Sequence, residues 1–167
     1  LIMGKVLAFI NQKGGVGKTT SAVNVGLSLA VSEIKTLIVD LDPQANATIG
    51  LSDLTERSKK NIYDVLINND DINSAISKTT FPCLDVVPST NDLVGAEVEL
   101  VNIMAREYQL KTALKKAVRK YDVIILDCPP SLGLLTINAL TSSHAIIIPI
   151  QCEYYALEGL SQLLNTF

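Results

Sequence analysis

The sequence is built on short, continuous apolar runs separated by stretches of helical period. Val6–Ile10, Thr36–Asp40, Leu84–Val87, Val123–Asp127 and Ala145–Ile150 are rich in β-branched residues and do not alternate with polar ones. Strands buried on both faces read this way, whereas half-exposed strands alternate. Between them, Thr19–Ala30 places Ala22, Val23, Leu27, Leu29 and Ala30 on a wide stripe, as a helix against a sheet does. Two further helices are expected in Asp92–Lys120, broken near Arg106. Strand–helix–strand alternation predicts an α/β fold, a parallel sheet flanked by helices with right-handed crossovers. From Gly50 to Lys78 the pattern weakens, apart from scraps such as Ile62–Ile67, and reads as a surface excursion rather than a second domain.

Composition supports one such domain. The chain has 167 residues, 48% hydrophobic and 19% charged, with little aromatic content and no Trp, so Val, Ile, Leu and Ala must build the core. Cys83, Cys128 and Cys152 form no close pair, which argues against a disulfide scaffold or a zinc site. No apolar run reaches the ~18 residues of a membrane span, and a cytoplasmic location is the expectation. A net charge of −3 and a pI near 5.1 give no global electrostatic reason to expect DNA or an anionic membrane. Met3 is a candidate start, with Leu1 and Ile2 preceding it, and the chain stops in an apolar segment, Leu160–Phe167. Lys111, Lys115 and Arg119, with Lys116 and Lys120 beside them, read as a solvated face near a helix C-terminus, where cations suit the dipole.

The first run leads into Asn11-Gln12-Lys13-Gly14-Gly15-Val16-Gly17-Lys18-Thr19-Thr20, a glycine-rich loop between a buried strand and a helix. That context defines a phosphate-binding P-loop. Glycines let backbone N–H groups turn inward onto phosphate oxygens, and the next helix aims its positive end at the same place. Lys18 supplies a cation for the β- and γ-phosphates of ATP, and the Thr19 hydroxyl is a candidate Mg²⁺ ligand. Asp127 closes an apolar strand, the position from which a carboxylate holds Mg²⁺ directly or through water. Asp40 and Asp42 follow Leu37-Ile38-Val39, and ligands of parallel sheets sit at such carboxyl ends. Asp40 alone reads as a polar strand terminus or cap; Asp42 and Asp127, together with the loop, read as functional.

Gln12 stands where the general loop pattern has its first glycine, and Lys13 opens the glycine run. This Lys-Gly-Gly-Val-Gly-Lys-Thr-Thr string resembles the deviant Walker A loop of the ParA/MinD family of P-loop ATPases. Asp42-Pro43-Gln44-Ala45-Asn46-Ala47-Thr48 looks like the ParA-type switch I, and Asp127-Cys128-Pro129-Pro130-Ser131-Leu132-Gly133 like its switch II. Pro149-Ile150-Gln151-Cys152-Glu153-Tyr154-Tyr155-Ala156-Leu157-Glu158-Gly159-Leu160 is close to a string of the chromosomal, Soj-type members. The matches run from Met3 to Phe167 in the family's order, as for a single P-loop ATPase domain spanning residues 3–167.

The resemblance implies an ATP- and Mg²⁺-dependent dimerisation switch for chromosome or plasmid partition, a slow ATPase. Lys13 would reach the ATP of the partner subunit while Lys18 acts within its own. Gly14, Gly15, Val16, Gly17, Lys18, Thr19 and Thr20 would cradle the phosphates, and Asp42 would position the attacking water. Thr19 and Asp127 would hold the metal, and Glu153 would lie near the nucleotide interface. Implied partners are a second copy, a ParB-like centromere-binding protein that stimulates hydrolysis, and DNA bound without sequence preference, giving nucleoid association. Family chains run well beyond Phe167, so this chain is expected to be the N-terminal portion of a longer fold. The acidic pI then no longer argues against DNA. A MinD-like membrane-associated ATPase would need an amphipathic C-terminal helix, and none is visible; a metabolic P-loop ligase or kinase would need a small acceptor.

Two departures concern turns. The family usually has glycine where Ala45 sits, which makes the switch I turn stiffer here. It often has glycine at Ser32-Glu33-Ile34, so that turn is expected to close differently. His144 is expected to be structural, Cys128 a small buried hydrophobe, and Tyr154 and Tyr155 packing residues.

Overall fold

The computed structural model describes residues 4–55 and 59–152. In chain order the elements are β1 (Lys5–Phe9), α1 (Lys18–Val31), β2 (Thr36–Asp40), α2 (Asn46–Gly50), α3 (Ile62–Ile67), α4 (Ile72–Ala75), β3 (Ser77–Lys78), β4 (Leu84–Val87), α5 (Leu93–Glu99), α6 (Gln109–Leu114), β5 (Val123–Asp127), α7 (Leu134–Ser142) and β6 (Ala145–Ile147). They form one sheet in the order β3-β4-β2-β5-β1-β6. Every pairing is parallel except β3 with β4.

Successive side chains of each central strand go to opposite faces, and the two faces are separate cores. Val6, Ala8, Leu37, Val39, Ile124 and Leu126 pack with α3, α5, α6 and α7. Phe9, Ile38, Val86 and Ile125 pack with α1 and α2. This is why the runs are continuous: no position on β2 meets water. Burying each large aliphatic side chain contributes about 1.5–3 kcal/mol. Gly26 lets α1 lie directly on the sheet, since a Cβ there would stand 2.8 Å from Ile38 Cδ1.

Strands β2, β4 and β5 match the expected bounds, and α1 extends one residue beyond them at each end. The last strand is shorter than Ala145–Ile150. Among the described residues it pairs with β1 alone, the final ladder bond runs from Ile10 N to Ile147 O, and Pro149 has no N–H to continue. The sheet is parallel as expected, with Ser77–Lys78 adding one short antiparallel edge. One expectation needs correction: the stretch from Gly50 to Lys78 is no surface excursion, since Ile62, Val65, Leu66, Ile72 and Ala75 are buried in the first core. The helical scrap expected at Ile62–Ile67 is α3, which local caps fix. Asn61 Oδ1 accepts from Tyr63 N at 2.8 Å, and Asp64 Oδ2 accepts from Asn61 N at 3.0 Å.

The break expected near Arg106 falls at Ala105, which has φ 53°. The second helix ends at Leu114, earlier than the lysine pattern suggested. Lys116 Nζ bonds Asp71 and Lys120 Nζ bonds Asn73 Oδ1, so these two cations tie the segment to α4 rather than standing alone in solvent.

The turn after α1 also corrects the sequence reading. Glu33 adopts φ 61°, Glu33 N donates to Ala30 O at 2.9 Å, and Ile34 N donates to Leu29 O at 3.0 Å. That is the Schellman closure glycine makes, here carried by glutamate at a steric cost. Ala45 likewise sits in the left-handed region, φ 54° and ψ 34°.

Candidate functional site

The P-loop connects β1 to α1. Gly15 and Gly17 have φ 73° and 88°, values that disfavour any side chain. A Cβ at Gly14, Gly15 or Gly17 would meet no protein atom within 4 Å, so the concave side of the loop is open for a ligand. No side chain caps α1, and its N-terminal dipole faces that space. Val16 is buried and fixes the loop from below, while Lys13, Gly14, Gly15 and Thr20 are exposed. Sequence reasoning missed two braces. Asn11 accepts from Lys13 N at 3.0 Å and donates to Pro149 O at 2.9 Å; Gln151 Nε2 donates to Gly15 O at 3.1 Å.

Lys18 is only 7% exposed, and its ammonium donates to Lys13 O at 3.2 Å. Burial lowers its pKa, opposed by the nearby Asp127 and Asp42 charges and by Cys128. Asp127 ends β5 level with Phe9 of β1 and Asp40 of β2. It is fully buried, and neither carboxylate oxygen has a hydrogen bond of ordinary geometry. The Thr19 hydroxyl nevertheless lies close enough to favour its ionised form. Desolvation outweighs that and, helped by the charges of Asp40 and Asp42, pushes the Asp127 pKa up to about 7. An unpaired buried carboxylate beside Thr19 and Lys18 is a donor set suited to a hard cation, directly or through water. Among the described residues no cluster of three or more His, Cys, Asp and Glu side chains forms a complete protein cage. The residues present fit Mg²⁺ that is completed by phosphate oxygens and water.

Asp42 is buried, accepts from Gln44 N at 2.9 Å through Oδ1, and donates its N–H to Asp40 Oδ1 at 3.1 Å. Asp40, read from sequence as a cap, anchors the Asp42–Thr48 segment. Its Oδ2 accepts from both the Thr48 amide, at 2.9 Å, and the Thr48 hydroxyl, at 2.7 Å. Burial raises the Asp40 pKa to about 6, against these bonds. Ser89 completes the network: its amide donates to Thr48 Oγ1 at 2.9 Å and its hydroxyl to Asp42 O at 2.6 Å. Neither Thr48 nor Ser89 carried a signal that singled it out. A cavity of about 380 Å³ lined by Thr48, Ile49, Ser77 and Ser89 lies beside this network, away from the P-loop.

His144 is structural, as expected: Nδ1 accepts from Val6 N at 3.0 Å and its own N–H donates to Val6 O at 2.8 Å. Cys128 is wholly buried. Glu153, Tyr154 and Tyr155 lie outside the described residues. Among the described residues no helix is long and apolar enough to cross a membrane.

Comparison with known proteins places this geometry. The AAA domain family model matches residues 4–167. The sporulation initiation inhibitor protein Soj of Bacillus subtilis is 57% identical over 164 residues, covering 98% of this chain and 65% of that protein. Thus the chain spans just under two thirds of that relative. A crystal structure of a plasmid partition protein from Borrelia burgdorferi bound to AMPPNP superposes with a TM-score of 0.88 at 35% identity, covering 98% of this chain and 67% of that one. A structure described as cobyrinic acid a,c-diamide synthase from Mycobacterium smegmatis, with bound ADP and magnesium, gives 0.91 at 42%, covering 98% and 66%. The chain belongs to the AAA-domain P-loop family and, within it, to the Soj/ParA partition proteins.

Proposed function

We propose that this chain is one P-loop ATPase domain that binds ATP and Mg²⁺ and acts as a dimerisation switch in chromosome or plasmid partition. The observation that carries the reading is the convergence of Lys18, Asp42 and an unpartnered Asp127 beneath an open glycine loop. Bound Mg²⁺ neutralises charge on the β- and γ-phosphate oxygens. The amides of Gly14–Thr20 and the Lys18 ammonium hold those oxygens, while Thr19 and Asp127 hold the metal. Asp42, fixed by Gln44 N, orients the attacking water; phosphoryl transfer needs little more than positioning and charge neutralisation. Lys13, exposed at the mouth of the loop, reaches the phosphates of a second copy. The likeness to Soj/ParA partition proteins supports the rest of the reading: a slow, resettable switch with DNA bound without sequence preference, a ParB-like stimulator of hydrolysis, and association with the nucleoid.

Steady-state ATPase assays, with and without duplex DNA and a ParB-like protein, test the switch. Lys18→Ala should abolish phosphate binding. Asp42→Ala should keep ATP binding and lower kcat by about 10²-fold or more, the scale of losing a positioned acid–base group. Normal hydrolysis by Asp42→Ala refutes its role. An amide-forming ligase is the second reading, favoured by the name of the Mycobacterium smegmatis structure. Turnover of a carboxylic acid acceptor, independent of DNA and partner, would establish it instead.

A further inference from the structure

The loop from Cys128 to Gly133 makes few backbone bonds of its own: Pro129 and Pro130 lack N–H groups. Inside it the Thr136 hydroxyl donates to Ser131 O at 2.7 Å and Leu132 packs on the first core, and each end has its own attachment. At one end Cys128 N donates to Phe9 O at 3.3 Å, which ties it to β1. At the other end α7 begins, with Gly133 as N-cap and no capping side chain of its own. Glu97, from α5, supplies the cap: Oε2 accepts from Leu134 N at 2.7 Å and Oε1 from Leu135 N at 3.3 Å. A carboxylate at a helix N-terminus satisfies orphan donors and suits the dipole. The fit is tight, since a Cβ on Gly133 would stand 2.3 Å from Glu97 Oε1. A side chain at 133 would therefore have to displace the Glu97 carboxylate from the amides it caps, although the backbone there, with φ −77°, would accept one. Farther along, the buried Asn138 anchors α7, accepting from Leu110 N and donating to Arg106 O.

We infer that Glu97 is a positioning residue for the Asp127–Gly133 loop, setting where that loop stands over the metal and γ-phosphate. The inference rests on the ATPase reading above. Among the described residues Glu97 is the one carboxylate bonded to the amides that start α7. It stands on α5, outside the nucleotide-binding strands, so it ties the start of α7 to a separate element. Losing the cap loosens the loop where it enters α7 while leaving the Ser131–Thr136 bond, the P-loop, Lys18 and Asp127 in place.

The test uses Glu97→Ala, Glu97→Gln, Gly133→Ala and the Glu97→Ala/Gly133→Ala double variant in the full-length protein. Glu97→Ala should lower kcat by on the order of tenfold, the scale of a sub-ångström to ångström misplacement, with the Kd for ADP–Mg²⁺ within about twofold. Gln keeps a carbonyl acceptor for Leu134 N and should restore most of the rate. Gly133→Ala should resemble Glu97→Ala, and the double variant should be no worse than either alone. Amide exchange at Leu134 and Leu135 should quicken in Glu97→Ala with ADP–Mg²⁺ bound. Wild-type kcat in folded Glu97→Ala, whatever its Tm, overturns the inference, as does failure of Gln to rescue. If Glu97→Ala does not fold, Gly133→Ala carries the same kcat test alone. A wild-type protein without ATPase activity sinks the ATPase reading instead, and the exchange measurement still reports whether Glu97 holds the loop.

Discussion

Asp127→Asn should make the protein free of nucleotide and Mg²⁺ less sensitive to alkaline pH while destroying its metal site. Asp127 is buried with no hydrogen bond of ordinary geometry to either oxygen, and burial outweighs the nearby Thr19 hydroxyl to raise its pKa from 3.8 to about 7. The folded state therefore holds a proton the unfolded chain has released. Stability falls as pH rises through the interval between the two values, and the loss is complete above the folded pKa. From pH 5.5 to 8 the lost part runs from 5.5 to about 7, roughly 1.5 pH units, or about 2 kcal/mol at 1.36 kcal/mol per unit. Asp40, with its pKa near 6, adds less than about 1 kcal/mol in the same window. Asparagine cannot ionise, so the variant should lose only the Asp40 part.

Urea unfolding at the two pH values, in nucleotide-free buffer with a chelator, measures this directly. The wild type should lose about 2–3 kcal/mol between pH 5.5 and 8, and Asp127→Asn under about 1 kcal/mol. The buried Asn amide costs its own ~1–3 kcal/mol where unpaired, but that cost does not vary with pH. Only the difference in slope is diagnostic. Parallel slopes for the two proteins would show that Asp127 is ionised and satisfied in the free protein, and the metal-site argument would lose its main physical support. With Mg²⁺ and nucleotide present, the wild type should regain more stability at pH 8 than the variant, because the ionised Asp127 carboxylate gains from the cation while the loop amides and Lys18 bind phosphate in both.

Two further substitutions probe the turn and the switch. Glu33→Gly should raise stability by about 0.5–1 kcal/mol in thermal unfolding: a left-handed L-residue costs roughly 1–2 kcal/mol, partly offset by the larger unfolded-state entropy of glycine. Thr48→Val removes the hydroxyl shared by Asp40 and Ser89, leaving a buried carboxylate short of one donor, and should destabilise by about 1–3 kcal/mol while lowering kcat more than ATP affinity. Equal losses in kcat and affinity would mean that the network shapes the nucleotide pocket rather than the position of Asp42.

Parallel strands announce themselves because both their faces are buried, so Thr36–Asp40 and Val123–Asp127 were legible to the residue. Short helices show their presence but not which face is buried. Ile62–Ile67 spans under two turns and owes its place to the Asn61–Asp64 caps and to burial against α5 and α6, which arise only once the chain has folded. Hence a core-forming stretch looked like a surface one. The two-residue β3 is shorter than any window in which a period can be counted.

The site divides along the same line. The glycine loop and the acidic strand ends of the candidate site were visible, because phosphate chemistry demands glycine, lysine, hydroxyl and carboxylate at fixed steps along one loop and two strand ends. Residues that hold those groups from elsewhere were not, since Ser89, Gln151 and Glu97 come from separate segments and are ordinary in their local context. Asp40 shows how the two classes blur. It looked like a cap because its side chain has local backbone donors, and it is one; but what it caps is the segment carrying Asp42. Its raised pKa says that holding this segment costs folding energy, offset by the Thr48 hydroxyl and amide. Ala45, in a strained left-handed turn three residues beyond Asp42, adds a second cost in the same segment. A buried carboxylate and a strained alanine thus both act on the segment that carries Asp42, and the two Thr48 bonds to Asp40 are what offset their cost.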